Sequence, residues 1–335
     1  MSSFFHSAPF YSLGTMMFGA WGNPDIDSCA EIVDIYFNTP GPHVFDTADM
    51  YDRGTSETFL GKILHERLDS HSRDSYVIAT KVGNPFDDDP QHRGLSRRWI
   101  TESCDNSLRR LRVDIIDLYQ MHRPDPLTPL LESVTAMHDL VEAGKIRAWG
   151  TSTFPLQLLN EIITVCRDNN LTPPVTEQPP YSILCRGIEN TQTGISQFAI
   201  ENNISLIVWA PLNGGWLTGK YTSETSPAVD PDDSSRAKRE SDHFDFNDQN
   251  MRQSKTDLVR RLTTLASEHG MTMTEMALRF TISHPAVATA LIGPRTPEQT
   301  RDLCSVAATP LSSDMLASID HIVTPGVTVN PRDNG

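Results

Sequence analysis

Two apolar patterns alternate along this chain. Short β-rich runs fall at 13–19 (LGTMMFG), 43–48 (HVFDTA), 76–82 (YVIATKV), 115–122 (IIDLYQMH), 146–153 (IRAWGTST), 175–182 (VTEQPPYS), 204–211 (ISLIVWAP) and 287–293 (VATALIG). Between them lie segments with the 3.6-residue helical period, at 29–38, 56–68, 98–111, 130–143, 156–169, 195–202 and 258–269. Ser96 reads as a helix cap, Pro155 and Pro297 as first-turn residues, and Gly144 as a helix stop. Strands alternating with helices predict a parallel sheet, and eight such units predict a closed (β/α)8 TIM barrel. The near-continuous apolar runs fit strands buried on both faces. An open doubly wound sheet would want GxGxxG after an early strand, and LGTMMFGAWG lacks that spacing.

No stretch reads as a linker, so one barrel domain is expected over 1–335, with its core at about 11–310 and an irregular tail at 324–335. Two polar insertions, 83–96 and 213–253, follow predicted strands and are expected to overhang the face where strand ends converge. The net charge of −15 argues against a phosphate-backbone binder and against anionic membrane surfaces. Five dispersed cysteines form neither a disulfide framework nor a zinc pattern. HxH is absent, and no metal site is expected. The first residues lack a basic segment followed by a long apolar run, and no stretch is long enough to span a membrane, so a cytoplasmic protein is expected. Nothing in the sequence fixes an oligomeric state.

Four residues at or just past strand ends carry the chemistry: Asp46 and Tyr51 in FDTADMYDRGTSE, Lys81 closing IATK, and His122 closing LYQMH. Reduction of a carbonyl needs a hydride donor and an acid for the nascent alkoxide. A tyrosine serves as that acid when an ammonium beside it favours the phenolate. A buried lysine needs a carboxylate partner, and a histidine can orient the carbonyl oxygen. Each residue taken singly also fits a bland role: a cap, a packed ring or a core histidine. Their joint placement on three consecutive strands points to a site.

These motifs resemble the aldo-keto reductase family, in the long-loop branch that includes potassium-channel β subunits and bacterial reductases. FDTADMYDRGTSE is similar to the family's FDTAxxYGxGxSE, and LYQMH to its strand ending in the catalytic histidine. The resemblance runs from about Leu13 to Leu303. It implies Tyr51 as general acid, tuned by Lys81 and Asp46, with His122 positioning the substrate. GTSTF resembles GxSNF and implies that Ser152 and Thr153 hold the nicotinamide amide, with threonine where the family has asparagine. EQPPYS supplies Gln178 as a second amide contact and Tyr181 as the stacking ring. VWAPLNGGWLTGKY resembles the pyrophosphate-covering segment and implies Trp209, Ala210, Pro211, Leu212, Gly214 and Lys220. It is no Walker loop, because Tyr221 stands where Ser or Thr is required.

LIGPRTPEQTRDL resembles the adenosine-phosphate segment and implies Gly293, Arg295, Gln299 and Asp302, with Leu303 in place of the family's asparagine. Arg295 and the helix N-terminus beside it suit a 2′-phosphate, so NADPH (NADP+) is the expected cofactor. Gly14, Thr15 and Met16 are implied near the nicotinamide ribose. Trp21, Met50, Phe86, Met121, Arg123 and Trp216 flank the motifs and are the candidate pocket for a small carbonyl substrate. The expected activity is reversible, NADPH-dependent reduction of an aldehyde or ketone to an alcohol. The alternative is a nucleotide-sensing regulatory subunit with little catalysis. Weakly catalytic relatives often lack the histidine that this chain keeps at 122.

Overall fold

A computed structural model describes residues 10–68, 73–222 and 248–334. The acidic middle of the second predicted insertion lies outside these residues. Eight parallel strands close into a barrel in chain order. They are β1 (Phe10–Gly14), β2 (His43–Asp46), β3 (Tyr76–Val82), β4 (Ile116–Met121), β5 (Ile146–Thr151), β6 (Thr176–Glu177), β7 (Ser205–Val208) and β8 (Val287–Ile292). The surrounding helices are α1 (Ile26–Phe37), α2 (Thr55–Leu68), α3 (Arg97–Leu111), α4 (Leu130–Glu142), α5 (Leu156–Asp168), α6 (Ser196–Glu201), α7 (Gln249–Glu268), α8 (Met273–Thr281), α9 (Pro297–Ser305) and α10 (Ser313–Asp320). The expected (β/α)8 TIM barrel is the fold.

Caps stand where the sequence places them. The Ser96 side chain accepts the Trp99 amide at the start of α3. Pro155 takes the cap position just before α5, and Pro297 the first turn of α9. Gly144 follows α4 with φ 68°, the left-handed conformation that ends a helix.

Three elements differ from the sequence pattern by more than three residues at one end. β1 occupies 10–14 rather than 13–19, and the chain turns after it, with the Phe18 amide donating to the Thr15 carbonyl at 2.9 Å. The offset comes from Ser12, a polar residue buried at a strand centre, where its hydroxyl bonds that of Thr289 at 2.7 Å. β6 is cut to two residues, because Pro179 and Pro180 follow and cannot donate to a ladder. α7 begins at Gln249, well before 258, capped by the Asp248 side chain on the Met251 amide. Its polar first turns hid it, so the second insertion ends near 248. α8 and α10 were not anticipated.

Strand alternation divides the barrel interior into layers. Phe10, Val44, Ala79, Leu118, Ile207 and Leu291 form a separate apolar cluster. Two residues further along β2, β3 and β4, on the same face by strand periodicity, stand Asp46, Lys81 and Gln120. A polar layer therefore sits on an apolar plug, at the end where the loops gather. A second, larger apolar cluster fills the space between strands and helices. It includes Met315, Ile319 and Val323, so the core extends past residue 310. The tail after α10 lacks regular elements apart from a 3-10 turn at Pro331–Asn334, yet it is docked, with Asn330 and Asp333 buried.

Candidate active site

The barrel register brings the four candidate residues together. Asp46 pairs with Ala79 and Gly14 across neighbouring strands, and Lys81 pairs with Gln120. Lys81 is fully buried, and its ammonium bonds Asp46 Oδ1 and, at 2.8 Å, the Thr47 carbonyl oxygen. It also lies 3.5 Å from the Tyr51 hydroxyl and 5.2 Å from that ring's centre. Burial alone would lower the Lys81 pKa, but the Asp46 carboxylate and Tyr51 outweigh it and hold the ammonium above its ordinary value. The second oxygen of Asp46 accepts from Gln178 Nε2 at 2.9 Å and Gln120 Nε2 at 3.3 Å. The His122 ring meets the Tyr51 ring edge-on, with centroids 5.8 Å apart. Gln120 was missed in the sequence. It stands two positions before His122, on the same inward face of the strand.

The loop after β2 is shaped to present Tyr51. Asp52, Arg53 and Gly54 all take positive φ, at 47°, 52° and 84°. At Gly54 a Cβ would come within 2.7 Å of the Arg110 side chain, so glycine is required there. Asp52 Oδ2 accepts the Ala20 amide at 2.8 Å, tying this loop to the one bearing Trp21, whose ring centre is 6.2 Å from that of Tyr51. Ser56 donates to the Thr15 carbonyl at 2.7 Å and bonds the Thr47 hydroxyl at 3.0 Å. Glu57, fully buried, holds Arg110 at 2.7 Å and accepts from Thr80. Asp49, buried behind the loop and close to the Glu57 charge, has its carboxyl pushed up to about 7.

A cavity of about 690 Å³ opens over the strand ends. Twenty of the candidate site residues line it, and so does Leu303, which stands where the family has asparagine. Asp46, Tyr51 and His122 stand with Gly14, Met16, Trp21, Met50, Arg123, Ser152 and Gln178. Trp209, Ala210, Pro211, Leu212, Gly214, Lys220, Gly293, Arg295, Gln299 and Asp302 continue the wall. Met17, Asn84, Gly215, Thr218, Thr274, Leu291 and Ile292 line it too and were not anticipated. Asn84 belongs to the first insertion and lines the cavity. Thr274 lies on α8, which carried no signal in the sequence pattern.

Several expected lining residues lie elsewhere. Tyr181 is buried against Phe280, with ring centres 5.4 Å apart, and its hydroxyl donates to Glu189. The large flat side chain on the wall near Ser152 and Gln178 is instead Trp209, with the Arg123 guanidinium 6.0 Å from its ring centre. Thr15 is buried, and its hydroxyl bonds that of Ser56 at 2.9 Å and donates to the Asp46 carbonyl at 3.2 Å, so it ties the end of β1 to α2 and β2. Thr153 takes φ 59°, and its hydroxyl accepts from Arg123 at 3.0 Å. Phe86 packs on Trp99, Met121 is in the core, and Trp216 is buried beneath its turn. Lys81 is covered by its partners and reaches the cavity only through Tyr51.

The donor set suits a dinucleotide. One part of the wall offers a hydroxyl, an amide and an indole face at Ser152, Gln178 and Trp209. Beyond it lies a turn with Gly214 and Gly215 at φ 64° and 96°, beside Lys220. A Cβ at Gly215 would come within 2.8 Å of the Lys220 side chain, so the backbone is bare where a phosphate would approach. Arg295 stands at the N-terminus of α9, where Thr296 caps the helix on the Gln299 amide and Asn23 Nδ2 donates to the Arg295 carbonyl at 2.9 Å. Such an end attracts anions. The residues present therefore fit a molecule with a flat amide-bearing ring, an anionic middle and an anionic far end.

A (β/α)8 barrel with a tyrosine hydroxyl beside a buried Lys–Asp pair, on the wall of a cavity whose donors suit a dinucleotide, is the arrangement of a class of oxidoreductase. Comparison with known proteins agrees. The family model "Aldo/keto reductase family" matches residues 12–324. Aldo-keto reductase YhdN of Bacillus subtilis is 32% identical over 314 residues, covering 93% of this chain and 88% of that protein. A putative voltage-gated potassium channel subunit beta of Schizosaccharomyces pombe is 32% identical over 293 residues, covering 84% and 80%. A probable voltage-gated potassium channel subunit beta of Arabidopsis thaliana is 31% identical over 290 residues, covering 84% and 83%. The chain belongs to the aldo/keto reductase family, whose members are oxidoreductases that use NAD(P)H and act on small carbonyl compounds. Among the described residues, no helix is long and apolar enough to cross a membrane.

One further buried carboxyl shapes the site. Glu177 accepts from the Thr151 hydroxyl and, at 3.1 Å, from the Phe154 amide, so it fixes the 151–154 turn that carries Ser152. Burial lifts its carboxyl from 4.5 to about 7, against the opposing pull of these hydrogen bonds and of Arg123. The folded state thus binds more protons than the unfolded one between pH 4.5 and about 7, and stability falls as pH rises through that window. Glu177→Gln should keep the turn without the penalty. We expect the variant to gain on the parent by up to about 3 kcal/mol between pH 4.5 and 8. Urea unfolding across that range checks this, and a difference constant with pH contradicts it.

Proposed function

We propose that the protein is an NADPH-dependent carbonyl reductase that converts an aldehyde or ketone to an alcohol, reversibly, with Tyr51 as general acid. The observation that carries this reading is the contact between the Tyr51 hydroxyl and the buried Lys81 ammonium, 3.5 Å apart at the wall of the cavity. Ser152, Gln178 and Trp209 would hold the nicotinamide, the Gly214–Lys220 turn the pyrophosphate, and Arg295 with the α9 N-terminus the 2′-phosphate. When bound, the reduced cofactor supplies the hydride. Tyr51 gives its proton to the carbonyl oxygen as that carbon is reduced. Lys81 stabilises the phenolate left behind, and Asp46 keeps the ammonium aimed at it. His122 orients the carbonyl oxygen. Trp21, Met50 and Arg123 are the proposed substrate wall.

NADPH is preferred to NADH because Arg295 and a capped helix N-terminus stand together at one end of the groove. A second reading, a nucleotide-holding regulatory subunit, is supported by the two relatives named as potassium channel subunits. The complete set of acid, ammonium, carboxylate and histidine favours the enzyme.

A carbonyl-panel assay following NADPH absorbance tests the reading directly; no turnover on any aldehyde or ketone would favour the regulatory subunit. Tyr51→Phe should lower the reduction rate by about 10²–10⁴-fold while NADPH binding, read by fluorescence titration, stays unchanged. Turnover near the parent's would remove Tyr51 from its role. Arg295→Ala should weaken NADPH by about 10- to 100-fold and leave NADH nearly untouched. Equal losses for both cofactors would overturn the NADPH assignment.

A further inference from the structure

A buried ionic triangle lies under the groove, outside the catalytic set. Lys255 of α7 is fully buried, Asp333 of the tail is 7% exposed and Asn213 is 5% exposed. All three edges are bonded. Lys255 Nζ donates to Asp333 Oδ2 at 2.9 Å and to Asn213 Oδ1 at 3.1 Å, and Asn213 Nδ2 donates to Asp333 Oδ2 at 3.0 Å. Asn213 opens the turn that lines the groove through Gly214, Gly215, Thr218 and Lys220.

That turn is unfavourable on its own. Asn213, Gly214 and Gly215 take φ of 46°, 64° and 96° in succession. Asparagine and glycine tolerate that region singly, but three such residues in succession are locally disfavoured, and contacts from outside fix the turn's shape. The triangle holds it from below, with Lys255 Nζ also 5.8 Å from the centre of the buried Trp216 ring in the same turn.

The tail brings Asp333 to its place along a defined track. Val329 N donates to the Leu184 carbonyl at 2.9 Å, Arg186 N to the Val327 carbonyl at 3.2 Å, and the Cys185 thiol to the Asp333 carbonyl at 3.5 Å. Arg186, 4% exposed, clamps the Val323 carbonyl at 2.7 Å and Asp320 at 2.8 Å. The family match ends at residue 324, before the segment that carries Asp333.

We propose that the C-terminal tail is a latch on the cofactor groove. Asp333, a positioning residue acting through Lys255 and the Asn213 side chain, holds the 213–218 turn in the shape that receives the dinucleotide phosphates. The ligand half of this statement rests on the NADPH reading; the structural half does not.

The test compares the parent protein with Asp333→Asn and with the double variant Lys255→Met/Asp333→Leu. The double variant replaces the buried pair with apolar side chains, a change buried pairs often tolerate. Hydrogen exchange of the ligand-free proteins should show the 213–218 amides opening about tenfold faster in both variants, with barrel-strand amides unchanged. NADPH should bind about tenfold more weakly, and the single-turnover reduction rate at saturating NADPH should match the parent's. Unchanged exchange at 213–218, faster exchange everywhere, or an unchanged NADPH affinity with a parent that binds it would overturn the latch. A parent that does not bind NADPH sinks the cofactor reading, while the exchange comparison still decides the latch.

Discussion

A lysine ammonium with no exposure to water is the constraint around which this molecule is arranged. Removing such a charge from solvent costs several kcal/mol unless a partner is held against it, and removing that partner costs about 3–5 kcal/mol. Lys81 is held by Asp46 and the Thr47 carbonyl, and Asp46 by amides from Gln120 and Gln178. These groups come from β2, β3 and β4 and from the loop after β6. They meet only if the barrel closes in this register. The pair therefore ties the chemistry of the site to the closure of the fold.

The layering follows from the same constraint. Side chains alternate along each strand, so the inward positions one step below the polar layer are apolar, at Val44, Ala79 and Leu118. Water is excluded from below, and the cavity above gives access to Tyr51 and His122. The groove is then completed by loops whose backbones are strained in particular places: after Tyr51, at Thr153, and through 213–215. Each strained stretch is braced by polar side chains, with half-buried Asp52 and buried Ser56 at the first, buried Glu177 at the second, and buried Lys255 with Asp333 at the third. The precision of the site lies as much in these braces as in the residues on the wall.

Much of this was legible in the sequence because the chemistry-bearing residues end apolar runs. Asp46, Lys81 and His122 read as strand ends, and the strand ends do meet. β1 was misplaced because Ser12 faces into the barrel and breaks the apolar run, while Met17 and Phe18, buried in the loop beyond, mimic a strand. The resemblance of EQPPYS implied Tyr181 as the nicotinamide-stacking ring, and Trp216 was expected in the substrate pocket from its position beside a motif. Motif adjacency does not say which side of a loop faces the cavity, and both rings turn into the core. The braces were illegible for a related reason. Glu177, Lys255 and Asp333 look like ordinary surface charges until tertiary contacts bury them.

The central claim is that Lys81 acts on the reaction through Tyr51, and a double-mutant cycle on the single-turnover reduction rate tests it most directly. Lys81→Met should slow the step by about 10²-fold in the parent and by no more than about threefold in the Tyr51→Phe background, since groups acting as one unit are non-additive. The same loss in both backgrounds would show that the ammonium and the phenol act independently, and would contradict the account.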